Sequence, residues 1–96
     1  MAHARVCPTA DGSVLTVAAG TIQLLGWSVR ESGAAAAVTI DLKEGSASGR
    51  VLATIVLATS GTDTQWLGDS GIVCNSTTLY ADLTGTGVPT GAIWIA

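Results

Sequence analysis

Phenylalanine is absent from this chain of 96 residues, histidine and tyrosine occur once each, and there are only two prolines and two cysteines. Four residues are basic, Arg5, Arg30, Lys43 and Arg50, and they are scattered along the chain. A nucleic-acid partner requires a clustered basic footprint to neutralise phosphates, so none is expected. No apolar run approaches the roughly 20 residues of a membrane helix, so no membrane partner is expected either. The start, "MAHARVCPTADGS", lacks the apolar segment of a secretory signal, and assembly in a cytoplasm is the expectation. Charged residues make up 11% of the chain, against about 25% in an average domain, while 48% are hydrophobic. Disorder, which needs a polar, charge-rich chain, is excluded. A surface this poor in charge suggests that other subunits cover part of it.

The two cysteines, Cys7 and Cys74, read as buried thiols, because a reducing compartment disfavours a structural disulfide. The "NST" at Asn75 matches a glycosylation acceptor, which has no meaning without secretion.

What the chain does have is strand patterning. Val38, Ile40 and Leu42 alternate with Thr39, Asp41 and Lys43, and Leu79, Ala81 and Leu83 with Tyr80, Asp82 and Thr84. Val51–Leu57 is apolar on both faces, which predicts a central strand or one at a subunit contact. "SVLTVA", "TIQLLGWSVR", "TDTQWL" and "GAIWIA" continue the series, and the alanine-rich "SGAAAAV" is read as strand because four alanines cannot nucleate a helix. Glycine-containing turns separate these runs, and Gly26, inside one of them, marks a bulge or a close backbone approach. The expectation is an all-β fold: one antiparallel β-sandwich or jelly-roll-like domain of about seven or eight short strands over 13–96. Residues 1–12 lack periodicity and are expected as an N-terminal arm.

Motifs that could carry chemistry are few. "EGSASG" has glycines at 45 and 49 followed by Arg50, but a phosphate loop needs one more residue, a lysine and a following helix. A hairpin turn explains it better. "GDSG" at 68–71 resembles the surroundings of a protease serine, yet His3 is the one available base and lies in the arm. The carboxylates Asp11, Glu31, Asp41, Glu44, Asp63, Asp69 and Asp82 form no metal-loop pattern and read as solvated loop charges. No catalytic, cofactor-binding or metal-binding residue is therefore assigned, and no cofactor or enzymatic activity is expected. Trp27, Trp66 and Trp94 lie on three different strands, which favours core and interface roles over a single sugar platform. Trp66, beside a polar loop, is the one best placed for exposure.

From Thr21 to the end, the order of parts is "LLGWSV", an alanine-rich segment, "DLKEGSASGRVLATIVL", "WLGDSGI", "LYADLTGTG" and "TGAIWI". This order resembles small β-sandwich virion proteins of tailed bacteriophages, of the head-decoration or cement type. The resemblance implies a non-enzymatic protein on the capsid surface of a virion. It would bind the major capsid protein, stabilise the shell and form a homo-oligomer, with a trimer favoured. A head-fibre, tail or other minor virion subunit of the same fold is the alternative, and a carbohydrate-binding module is a second. Partner contacts are expected from the arm and strand ends, at His3, Arg5, Val6, Pro8 and Trp66.

Overall fold

The computed structural model describes residues 3–33 and 35–96, and strands are its regular elements. In chain order they are β1 (His3–Val6), β2 (Gly12–Thr16), β3 (Ile22–Glu31), β4 (Val38–Glu44), β5 (Val51–Leu57), β6 (Thr62–Trp66), β7 (Ile72–Cys74), β8 (Thr78–Gly85) and β9 (Pro89–Ile95). They form two antiparallel sheets. One is five-stranded with the order β1-β9-β3-β6, β7 also pairing with β3. The other is four-stranded with the order β2-β8-β4-β5. The all-β sandwich expected from the periodicity is the fold, with nine strands among the described residues instead of seven or eight.

Each sheet contributes its inward-facing residues to one core. Ile22, Leu24, Trp27, Val29, Ile93 and Ile95 come from the five-stranded sheet, and Ile40, Leu42, Ile55, Leu57, Leu79 and Ala81 from the four-stranded one. Both thiols are free and buried in this core. Burial pushes the Cys7 thiol up to about 11 and raises that of Cys74 as well.

Residues 45–50 join β4 to β5 as a hairpin, with the Glu44 N–H donating to the Arg50 carbonyl at 3.0 Å. Glycine is required at 49, where a Cβ would collide with the Glu44 carbonyl oxygen. Gly26 satisfies both readings of an interior glycine. The register of β3 on β9 shifts between Leu24 and Gly26, and a Cβ at 26 would run into the carbonyl oxygen of Gln65 on β6.

Four placements differ from the sequence expectations. The alanine-rich segment is not a strand: residues 35–37 are bends and loop, and Ala34 lies outside the described residues. Small side chains with no alternation offered nothing to bury. Of the two readings of the doubly apolar β5, central strand or subunit contact, the central one is overturned, because β5 is an edge strand of the four-stranded sheet. In the segment expected as an arm, residues 1–2 lie outside the described residues, His3–Val6 pairs with β9, and Cys7 is buried. All four residues of β1 are exposed, so no burial pattern announced it.

The fourth difference concerns Glu31, one of the carboxylates read as solvated loop charges; the other six are half-buried or exposed. Six of the seven accept hydrogen bonds. Glu31, at the end of β3, is buried and draws three loops together. It accepts from the backbone N–H groups of Gly33 at 3.0 Å, Ser60 at 3.0 Å and Val88 at 3.3 Å.

Candidate functional site

Residues directly opposite each other in an antiparallel ladder leave the same face of the sheet, so the registers fix what each outer surface displays. On the five-stranded sheet, Ile93 and Ile95 point to the core, which turns Ala92 and Trp94 outward. Val6 pairs with Ala92, Ala92 with Ser28, and Ser28 with Thr64. The next row is Ala4, Trp94, Gly26 and Trp66. Thr90, Arg30 and Thr62 make a third row, and Gln23 with Val73 a fourth.

This face carries Arg30 as its one ionisable residue in those rows. Exposed apolar side chains are prominent on it: Val6 at 84%, Trp66 at 54% and Val73 at 42%. Because Gly26 has no side chain, the rings of Trp66 and Trp94 reach across β3 and meet edge to face, with centroids 6.2 Å apart. Hydroxyl pairs knit the remainder, Ser28 with Thr64 at 3.1 Å and Ser32 with Thr90 at 3.0 Å. A shallow depression of about 230 Å³ is lined by Ser28, Val29, Arg30, Thr62, Thr90 and Gly91.

The opposite outer face is built differently. Its rows contain Ser13, Tyr80, Lys43 and Val51, then Asp82, Asp41 and Thr54, then Thr84, Thr39 and Val56. Lys43 pairs with Asp82 at 2.7 Å, and this hydrogen bond raises the ammonium above its ordinary value. The Thr54 hydroxyl donates to Asp41 at 2.8 Å. At the end of β4, Glu44 takes two hydrogen bonds from Arg50 and one from the Asn75 backbone N–H, which hold its carboxyl below the usual range. One outer face thus displays tryptophans, small residues and hydroxyls, and the other displays a charge network.

The residues singled out from the sequence are divided by this geometry. Val6 and Trp66 lie on the same, nearly uncharged face, on strands at opposite margins of the sheet. His3 and Arg5 are exposed on β1 but oppose the core residues Ile95 and Ile93, so they line the sheet's rim. Pro8 is half-buried beyond β1 and stands apart from the others. Of the three tryptophans, Trp27 belongs to the core, its indole N–H donating to Asp63 at 2.9 Å. Trp94 and Arg30 were not singled out as surface residues, although alternation with Ile93 and Ile95, and with Val29, carried that signal. Among the described residues, no three His, Cys, Asp or Glu side chains gather as a metal-ligand set, and no helix is long and apolar enough to cross a membrane.

No family model, curated protein or solved structure matches this chain.

Proposed function

We propose that this chain is a non-enzymatic bacteriophage structural protein. It binds the outer surface of the capsid through the outer face of its five-stranded sheet and stabilises the shell. The observation that carries this reading is the composition of that face: exposed Val6, Trp66 and Val73 beside Trp94, with Arg30 as the one charge in the rows. Large exposed apolar patches mark interaction sites, and interface centres are depleted in charge and enriched in tryptophan. The order of strand and turn motifs, which resembles that of head-decoration proteins, supports the same reading. The partner is the major capsid protein, met during assembly in the host cytoplasm, and the binding unit is a homo-oligomer. A protein that binds the assembled lattice and not its dissociated subunits stabilises that lattice by mass action.

The test is a copy count by quantitative peptide mass spectrometry on gradient-purified particles from the source. Hundreds of copies in a simple ratio to the major shell protein are expected. A handful per particle would move the chain to a head-fibre or tail position, and absence would end the virion reading.

A carbohydrate-binding module is the second reading, favoured by one specific observation. The half-exposed ring of Trp66 shares its face with Arg30 and the hydroxyls of Ser28, Thr62 and Thr90 around a depression. Sugars that stack on Trp66 would quench its fluorescence; an unchanged spectrum across a panel of neutral and acidic oligosaccharides removes this reading.

A further inference from the structure

A strand at the margin of a sheet presents unpaired N–H and C=O groups along its free side, and natural proteins guard such edges with charge, proline, bulges or brevity. Most edges of this molecule are guarded. β1 has four residues and includes His3 and Arg5. β2 has five and its register shifts between Ser13 and Leu15. β6 and β7 divide one side of β3 into pieces of five and three residues. β5 is the exception. It has seven residues, "VLATIVL", with no charge, proline or glycine. Its one register shift lies near its start, opposite Leu42 and Lys43, and leaves Ala53–Leu57 regular. Val56 is 69% exposed and Val51 47%.

We propose that two copies of this chain associate by antiparallel pairing of their β5 strands about a two-fold axis near Thr54. The two four-stranded sheets then become one of eight strands. A second copy fits this edge because nothing on either side of the seam repels. β5 contributes no charge, and the nearest outward carboxylate, Asp41, is one strand further back, paired with Thr54. Across the seam the two Asp41 residues stand three strand spacings apart, about 14 Å. That exceeds the screening length of about 8 Å at physiological salt. Arg50, held by its own Glu44, falls beside the uncharged turn at Ala58–Gly61 of the other copy. Val56 of each copy is set opposite the half-buried Leu52 of the other. Pairing about a two-fold closes on itself. Head-to-tail addition of β5 to a neighbour's β2 would repeat without end and would meet the register shift in that strand. The inference is independent of the virion reading, since it concerns the purified chain in buffer, and it replaces the expected three-fold with a two-fold.

The test is sedimentation velocity over a concentration series on the full chain, with Val56→Lys and Thr54→Lys as variants. The wild type is expected at twice the chain mass of 9.6 kDa. Both variants should run at the single mass, at concentrations where the wild type is wholly dimeric, with an unchanged circular dichroism spectrum. Hydrogen exchange supplies a readout that needs no mutation: protection of β5 amides should rise with protein concentration, while that of β2 should not. A wild type that stays monomeric, a trimer, a dimer indifferent to both lysines, or β5 amides whose exchange ignores concentration would overturn the proposal.

Discussion

The indole rings of Trp66 and Trp94 meet at an interplanar angle of 65° across a residue that has no side chain, Gly26. The glycine serves two purposes at once. It admits the bulged backbone of β3 against Gln65, and it leaves the gap through which rings on the two neighbouring strands touch.

Substituting Gly26→Ala is therefore expected to cost about 1–3 kcal/mol by overpacking against β6. Trp66→Ala should cost only about 0.5–1.5 kcal/mol, the worth of an aromatic pair, because the ring is half-exposed. On the proposed function it should also abolish attachment to shells. Urea unfolding of both variants, together with pelleting of Trp66→Ala on undecorated particles, separates the structural effect from the binding one. Equal losses of stability would show that the ring pair is part of the core and not of a surface.

Glu31 offers a sharper contrast with its sequence appearance. Its carboxylate accepts from three backbone N–H groups in three loops, and an unsatisfied buried donor costs about 1–3 kcal/mol. Glu31→Ala should consequently remove about 3 kcal/mol or more, a large fraction of the roughly 5–15 kcal/mol that holds a domain folded. Glu31→Gln, which keeps one acceptor oxygen, should lose less. A denaturation midpoint for Glu31→Ala equal to that of the wild type would refute this anchoring role.

Glu44 gives the acid limb of stability a specific origin. Hydrogen bonds from Arg50 and from the Asn75 backbone hold its folded-state pKa below the ordinary 4.5. Its stabilising contribution is accordingly full above that ordinary value and is lost as the pH falls through the lower, folded-state value. In Glu44→Gln the deficit relative to wild type should be greatest near neutrality and shrink at acid pH. Thermal melts across the acid range will show parallel curves if the carboxylate plays no such part.

The thiols supply a probe of the core. With its pKa pushed up to about 11, Cys7 at pH 8 is thiolate in only on the order of one molecule in a thousand, and its side chain is buried besides. Ellman's reagent should therefore find no fast-reacting thiol in the native protein and two after denaturation. Rapid native reaction of one equivalent would mean that the segment joining β1 to β2 opens readily.

How much of this was legible beforehand depended on whether burial left a period in the sequence. β4 and β8 were plain because each is wet on one face, so Val38, Ile40 and Leu42, or Leu79 and Ala81, recur at every second position. β5 left two readings open for the opposite reason. Val51 and Val56 are apolar yet exposed, and apolar residues on both faces ordinarily signify a strand covered on both sides. β1 left no trace because pairing through the backbone alone places no demand on side chains. Glu31 was opaque in principle, since two of its partners, the N–H groups of Ser60 and Val88, are backbone groups of distant loops that no residue type encodes. On the candidate face, Trp66 was readable from its polar neighbourhood. The contact with Trp94 was not, because it depends on strand order, which spacing cannot supply.

The position of β9 sets the tempo of folding. It lies between β1 and β3, so β1 cannot join the five-stranded sheet until residues 89–95 find partners near the other end of the chain. β2 with β8 repeats the pattern, while the hairpin of β4 and β5 can close early and locally. The loop entropy of those distant pairings must be met before their contacts repay it, which places refolding in milliseconds to seconds, not microseconds. Stopped-flow tryptophan fluorescence reports that step directly, since Trp66 and Trp94 become neighbours only when β9 and β6 both dock on β3.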